Sequence, residues 1–184
     1  MILPIYLYGN STLRKKSENI TKDYPGLQEL IINMFETMYK AEGVGLAAPQ
    51  IGKNINVIVI DGSCIKNEDE PELENFKRIF INPKFTINSE NKRNSEEGCL
   101  SIPDIHENVL RYTDITVEYF NEDFEQITER LTLTQAKIFQ HEYDHLQGIV
   151  FTDKINPLRK QMLNFRLNSI SKGKSKTNYK TKTL

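Results

Sequence analysis

Sulfur and imidazole are scarce in this chain: 184 residues carry two Cys and three His. Two Cys exclude a disulfide scaffold. A reducing setting is therefore expected, in which a free thiol can act as a metal ligand. No apolar run approaches the roughly 20 residues that a membrane helix needs. The stretch Met1–Tyr6 is too short, and lacks the basic leader, for an export signal. A cytoplasmic protein with no membrane partner is the expectation. A formal net charge of −1 excludes a global pull toward nucleic acid. Acid is missing from the end of the chain: after Asp153 there is no Asp, Glu, His or Cys, and residues 172–182 hold five Lys. That end reads as a flexible basic tail, residues 171–184, behind a single domain over residues 1–170.

What is present centres on Gln140-His141-Glu142-Tyr143-Asp144-His145. Four residues apart, His141 and His145 share one face of a helix, where two imidazoles can grip one ion. Glu142 can lean over the ion's open side. Thr132 or Thr134 suits the N-cap of this helix and Gly148 its C-terminal stop. Two His at helical spacing can be coincidence. Here two of only three fall in one motif around a Glu, and that favours the metal.

A catalytic site of this kind wants three protein ligands and one open position. A Glu from a later helix is excluded because none exists after Asp153, and the position six residues beyond His145 is Phe151. The third ligand must lie upstream, where Cys99, His106, Cys64 and several carboxylates are available. Cys64 sits in an acidic, turn-rich excursion (residues 62–76), expected to be exposed, and reads as incidental. Cys99 lies at a bend and His106 in a polar turn; residue chemistry alone leaves the choice between them open.

Apolar spacing predicts a helix over residues 25–41, with Leu27, Leu30, Ile31, Met34, Phe35 and Met38 inward. Residues 55–61 read as a buried strand, and Phe80-Ile81-Asn82-Pro83 as the end of a short one. Alternation predicts an antiparallel hairpin from residues 107–120 and 124–133. Asn156-Pro157 opens a last helix with Leu158, Met162 and Phe165 on one side. The glycines of Gly43-Val44-Gly45 suit a close backbone approach.

Three segments, taken in order, closely resemble the peptide deformylase family: Gly43-Val44-Gly45-Leu46-Ala47-Ala48-Pro49-Gln50, Glu97-Gly98-Cys99-Leu100-Ser101 and Gln140-His141-Glu142-Tyr143-Asp144-His145. The resemblance implies an α+β fold: antiparallel β-sheets surrounding a central metal-binding helix, with an N-terminal and a C-terminal helix. It implies that Cys99, His141 and His145 hold one divalent ion, and so favours Cys99 over His106. Iron(II) is the native ion it suggests, with zinc, nickel or cobalt compatible with the same donors. It makes Glu142 the catalytic acid/base, and the Leu100 N–H and Gln50 amide the oxyanion donors. The substrate implied is an N-formyl-methionyl nascent polypeptide. Gly43, Val44, Gly45, Glu97, Gly98 and Ile138 are the expected substrate-binding residues, with Glu97 also a possible charge partner of Arg111. The Lys-rich tail suggests a transient ribosome contact. Asp104 stands where many members of the family have Gly or another acidic residue, and the 62–76 excursion is longer than in compact members. The rival readings are a His-Glu-x-x-His endopeptidase and a structural zinc module.

Overall fold

The computed structural model describes residues 1–65 and 68–183. In chain order the regular elements are β1 (Ile5–Tyr6), α1 (Leu27–Lys40), β2 (Gly45–Ala47), β3 (Val57–Asp61), β4 (Lys77–Ile87) and β5 (Lys92–Cys99). They continue with β6 (Ile102–Tyr112), β7 (Asp114–Phe120), β8 (Gln126–Thr132), α2 (Leu133–Leu146), α3 (Pro157–Ser171) and β9 (Thr181–Lys182). Strands β2-β3-β4-β7-β8 form an antiparallel sheet, β5 and β6 pair antiparallel, and β1 pairs parallel with β9. The arrangement is the expected α+β one. No helix among the described residues is long and apolar enough to cross a membrane.

Strand β3 explains why the core has two layers. Its five residues are all buried, because the sheet is covered on both faces and side chains alternate between them. Val57 and Val59 pack with Leu30, Met34 and Met38 of α1. Ile58 and Ile60 pack with Ala136, Ile138 and Phe139 of α2. Helix α2 is thereby pressed against the sheet, and a third apolar cluster lies under β6 and α3.

Several elements differ from their sequence-based expectation. The alternation over 107–120 is not one strand. It breaks at Thr113, with β6 turning back to β5 and β7 pairing with β8. Strand β4 does not end at Pro83. A register shift between Ile81 and Lys84 carries Pro83 past the ladder, and the Asn82 amide, at φ 50°, bonds both backbone groups of Ile20. The acidic excursion is exposed over most of its described residues, as expected, but it is anchored at three points. Leu73 and Phe76 are buried, and Glu70 accepts from the Thr134 N–H at 2.9 Å. That carboxylate takes up an N-terminal donor of α2, a role expected of Thr132 or Thr134 themselves. Lys66 and Asn67 of the excursion, and Leu184 of the tail, lie outside the described residues.

Helix α3 faces opposite to expectation: Leu163, Leu167 and Ile170 are buried, whereas Leu158, Met162 and Phe165 are exposed. Two apolar stripes compete on this helix, and only the shape of the third cluster selects between them. The end of the chain also departs from the expected flexible tail, because Ile5 N–H donates to Lys180 O and Leu7 N–H to Lys182 O, both at 2.9 Å.

The link between α2 and α3 is clamped by Asp153, which accepts from Arg14, from Lys160 at 2.7 Å and from the Val150 N–H at 3.1 Å. Burial opposes its charge, but the bonds from Arg14 and Lys160 outweigh it and hold the carboxyl down at about 2, against 3.8 ordinarily. With a depressed folded-state pKa, the stabilisation is complete above the unfolded value and disappears as pH falls through about 2. Asp153→Asn should therefore cost about 1 kcal/mol at pH 7, after allowing for solvent screening of a partly exposed group. The cost should vanish near pH 2, in denaturant titrations of both proteins across that range.

Candidate metal centre

Helix α2 brings its middle turns under the β5–β6 hairpin, and there His141, Glu142 and His145 are all buried. The hairpin turns tightly at Leu100-Ser101, with Cys99 opposite Ile102, so the thiol points back at the helix. Cys99 Sγ lies 3.2 Å from His145 Nε2. One ligand atom from each of Cys99, His141 and His145 lies within 4.8 Å of the others. His106, the other upstream candidate, is exposed and sits across the ladder from Gly98.

The His141 ring is oriented by a carboxylate, whereas His145 Nδ1 is buried without a hydrogen-bond partner among the described residues. His141 Nδ1 is 2.8 Å from Glu97 Oε2, which leaves Nε2 as the ligating nitrogen. Glu97 is itself gripped by the Arg111 guanidinium at 2.8 and 2.9 Å, and Arg111 also donates to Asp144. The Glu97–Arg111 pair is thus formed and is buried. Both Glu97 oxygens are engaged, so this residue supports His141 rather than presenting itself to a ligand. Burial opposes its charge, but Arg111 and His141 together hold it down at about 2.

The electrostatics suit a cation. Burial opposes a charge on His141, yet its bonds to Cys99 and Glu97 overcome that and hold its pKa well above the usual imidazole range. His145 is pushed well below that range by burial, then by the charges on His141 and Arg111. The surroundings favour one positive charge, on His141, and keep the His145 ring neutral; a divalent ion would take the place of that proton. One thiol and two imidazoles form a donor set that such ions accept. Among the described residues, Glu142 Oε2 is buried with no hydrogen-bond partner, a polar atom aimed at something other than the protein. The residues fit an ion.

Glu142 stands against β2. A Cβ on Gly45 would lie 2.5 Å from Glu142 Oε1 and 2.8 Å from its Cγ. Only glycine admits the carboxyl there. Burial pushes Glu142 up to about 7, with His141 and Arg111 pulling against the shift and Glu97 adding to it. A carboxyl poised near neutrality suits proton transfer in either direction.

Gln50 lies in a 3-10 turn, Ala48–Ile51, and is buried. Its Oε1 accepts from the Ala47 N–H at 2.8 Å, which fixes the flip of the amide. The Nε2 therefore faces Ser101 Oγ at 3.2 Å and Cys99 Sγ at 3.6 Å. These groups open onto a cavity of about 690 Å³. Gly43, Val44, Gly45, Glu97, Gly98 and Ile138 all border it. Val44 and Ile138 belong to the same apolar cluster, and Gly43 lets Leu100 Cδ1 come within 2.7 Å of where a Cβ would stand.

Sequence reasoning paired Arg111 with Glu97 but missed its second partner, Asp144, which lay inside the motif. It also missed Ser101 beside Gln50. The one available signal was a lone Asp between two ligands. No signal pointed to Lys176–Tyr179, which also border the cavity.

Residues 2–161 match the family model described as polypeptide deformylase. A peptide deformylase of Flavobacterium psychrophilum is 46% identical across 99% of this chain and 97% of its own length. One of Christiangramia forsetii is 45% identical across 98% and 95%. Among solved structures, a peptide deformylase from Legionella pneumophila superposes with a TM-score of 0.81 at 33% identity, covering 94% of this chain and 96% of that one. Peptide deformylase 1B of Arabidopsis thaliana gives 0.82 at 31% identity, covering 93% and 91%.

Proposed function

Since the chain belongs to the polypeptide deformylase family, hydrolases that remove the N-formyl group from nascent polypeptides, we propose that Glu142, Gln50 and Leu100 carry this reaction beside an ion held by Cys99, His141 and His145. The supporting observation is the convergence of these three donors within 4.8 Å of one another, next to a buried carboxyl oxygen without a partner. The family and this donor set support a single metal ion.

When bound, the ion supplies Lewis acidity, which in well-studied zinc sites lowers the pKa of a coordinated water to about 7. Glu142 takes the proton of the attacking water and returns it to the departing amine. The Gln50 Nε2–H and the Leu100 N–H donate to the oxyanion that develops on the formyl oxygen. Ala47 keeps the Gln50 amide from turning its oxygen inward. Strand β2 is the edge of its sheet, so an extended substrate can add beside Gly43-Val44-Gly45 through its backbone. The Met side chain would then lie against Val44 and Ile138.

Iron(II) is the ion we propose as native, on the resemblance; zinc, nickel and cobalt suit the same donors. We place the protein in the cytoplasm, treat residues 1–170 as one catalytic domain, and propose that the exposed lysines of the C-terminal segment contact ribosomal RNA in a salt-dependent way.

The test is formate release from a formyl-Met peptide by protein of measured metal content, against the acetylated twin. Formate should appear at one per peptide, with the acetyl peptide cleaved far more slowly if the site is shaped for hydrogen on the carbonyl carbon. Cleavage of internal bonds in an unblocked peptide would favour the endopeptidase reading.

A further inference from the structure

Lys176, Thr177, Asn178 and Tyr179 border the cavity, although they lie beyond residue 161, where the family match ends. Their path is held at both ends. Helix α3 stops at a turn in which Gly173, at φ 68°, donates to Ile170 O at 2.9 Å and Lys174 to Ser169 O at 3.0 Å. The chain then returns to run beside β1 as β9. Between these anchors the Tyr179 hydroxyl donates to the carbonyl of Leu100 at 2.8 Å.

That carbonyl belongs to the turn that carries Cys99. The next carbonyl along, Ser101 O, accepts from the Tyr8 N–H at 2.8 Å. Tyr8 follows β1 and Tyr179 precedes β9, so one short ladder delivers two donors to two successive carbonyls of the turn. Gln50 holds the same turn from the other side, through Ser101 Oγ. Burial, then the charges of Cys99 and Asp104, push the Tyr179 pKa up, and the hydroxyl stays a proton donor.

We propose that Tyr179 is a positioning residue for deformylation: through the Leu100 carbonyl it sets the turn that aims the Leu100 N–H and Cys99 at the reacting centre, making the C-terminal segment part of the active site. This rests on the reading of Leu100 as an oxyanion donor. Turnover then depends on a bond made about 80 residues along the chain from the turn it steadies.

The experiment is Tyr179→Phe in the full-length holoenzyme, with metal content and Tm measured, and kcat and KM obtained for a formyl-Met dipeptide and a longer formyl-Met peptide. The expected result is a fall in kcat of about five- to tenfold on both substrates, the size of one lost neutral hydrogen bond. KM and metal content should be unchanged. A chain ending at Lys174 should lose at least as much kcat when assayed well below its Tm. Wild-type kcat in either variant would overturn the proposal. So would a change confined to the KM of the longer peptide, which would make the segment a cavity wall only. Failure of the wild-type protein to release formate would instead overturn the reading of the site itself.

Discussion

Replacing Glu142 by Gln is expected to lower formate release by roughly 10³–10⁴-fold, the upper range for loss of a positioned general acid/base, while the protein stays folded and keeps its metal. Gln matches Glu in shape, so the contact with Gly45, where a Cβ would come within 2.5 Å, is retained. What Gln cannot do is accept the proton of the attacking water. Nor does the substitution disturb the donor set, because Glu142 is not among the three groups that converge. The wild-type kcat/KM profile should fall on the acid side at or below pH 7, as the carboxyl that burial pushes up to about 7 becomes protonated and loses its capacity as a base. That acid limb should be missing from the variant's residual activity. Formate release and metal analysis on the same preparations decide the matter. A variant with full metal and a kcat within tenfold of wild type would remove Glu142 from the chemistry and revive the structural-site reading.

Arg111→Met is the substitution with the largest expected effect on stability. Arg111 is 3% exposed and holds two buried carboxylates, Glu97 and Asp144. Removing one member of a buried charge group leaves the others without compensation, at a cost of about 3–5 kcal/mol. For a chain of this size that corresponds to a fall in Tm of roughly 10 °C. The sign of the pH dependence is informative. In the wild type Glu97 is held down at about 2 by Arg111 and His141, so its contribution is present above the ordinary carboxylate range and is lost as pH falls toward 2. In the variant the desolvation of Glu97 is no longer offset by Arg111, and its protonation should relieve it. The stability gap to wild type should therefore narrow on acidification from pH 7 to 4, in thermal melts at several pH values. Metal affinity should fall as well, because Glu97 no longer holds the His141 ring through its 2.8 Å bond. A gap that stayed constant across that range would mean that Lys154, 3.0 Å from Asp144, takes over the role of the lost guanidinium.

By itself the sequence determined the parts of this protein that are set by short spacing. Helical period four put His141 and His145 on one face, the absence of acid after Asp153 sent the third ligand upstream, and apolar periodicity marked α1, β3 and the β7–β8 hairpin. These depend on neighbours within a turn or a strand, whose geometry the backbone imposes locally. The choice of Cys99 over His106 came from resemblance alone. Only the tertiary structure decided what depends on distant partners. It broke the run over 107–120 at Thr113, because two sheets claim its halves. It turned α3 so that Leu163 rather than Phe165 is covered, since both stripes have helical period and only the shape of the neighbouring surface separates them. It gathered Glu97, Arg111 and Asp144 around His141, and it returned Tyr179 to Leu100 through a two-residue ladder. A pairing that short leaves no period to read in a Lys-rich segment; its position is set by the edge of β1, far away in the chain.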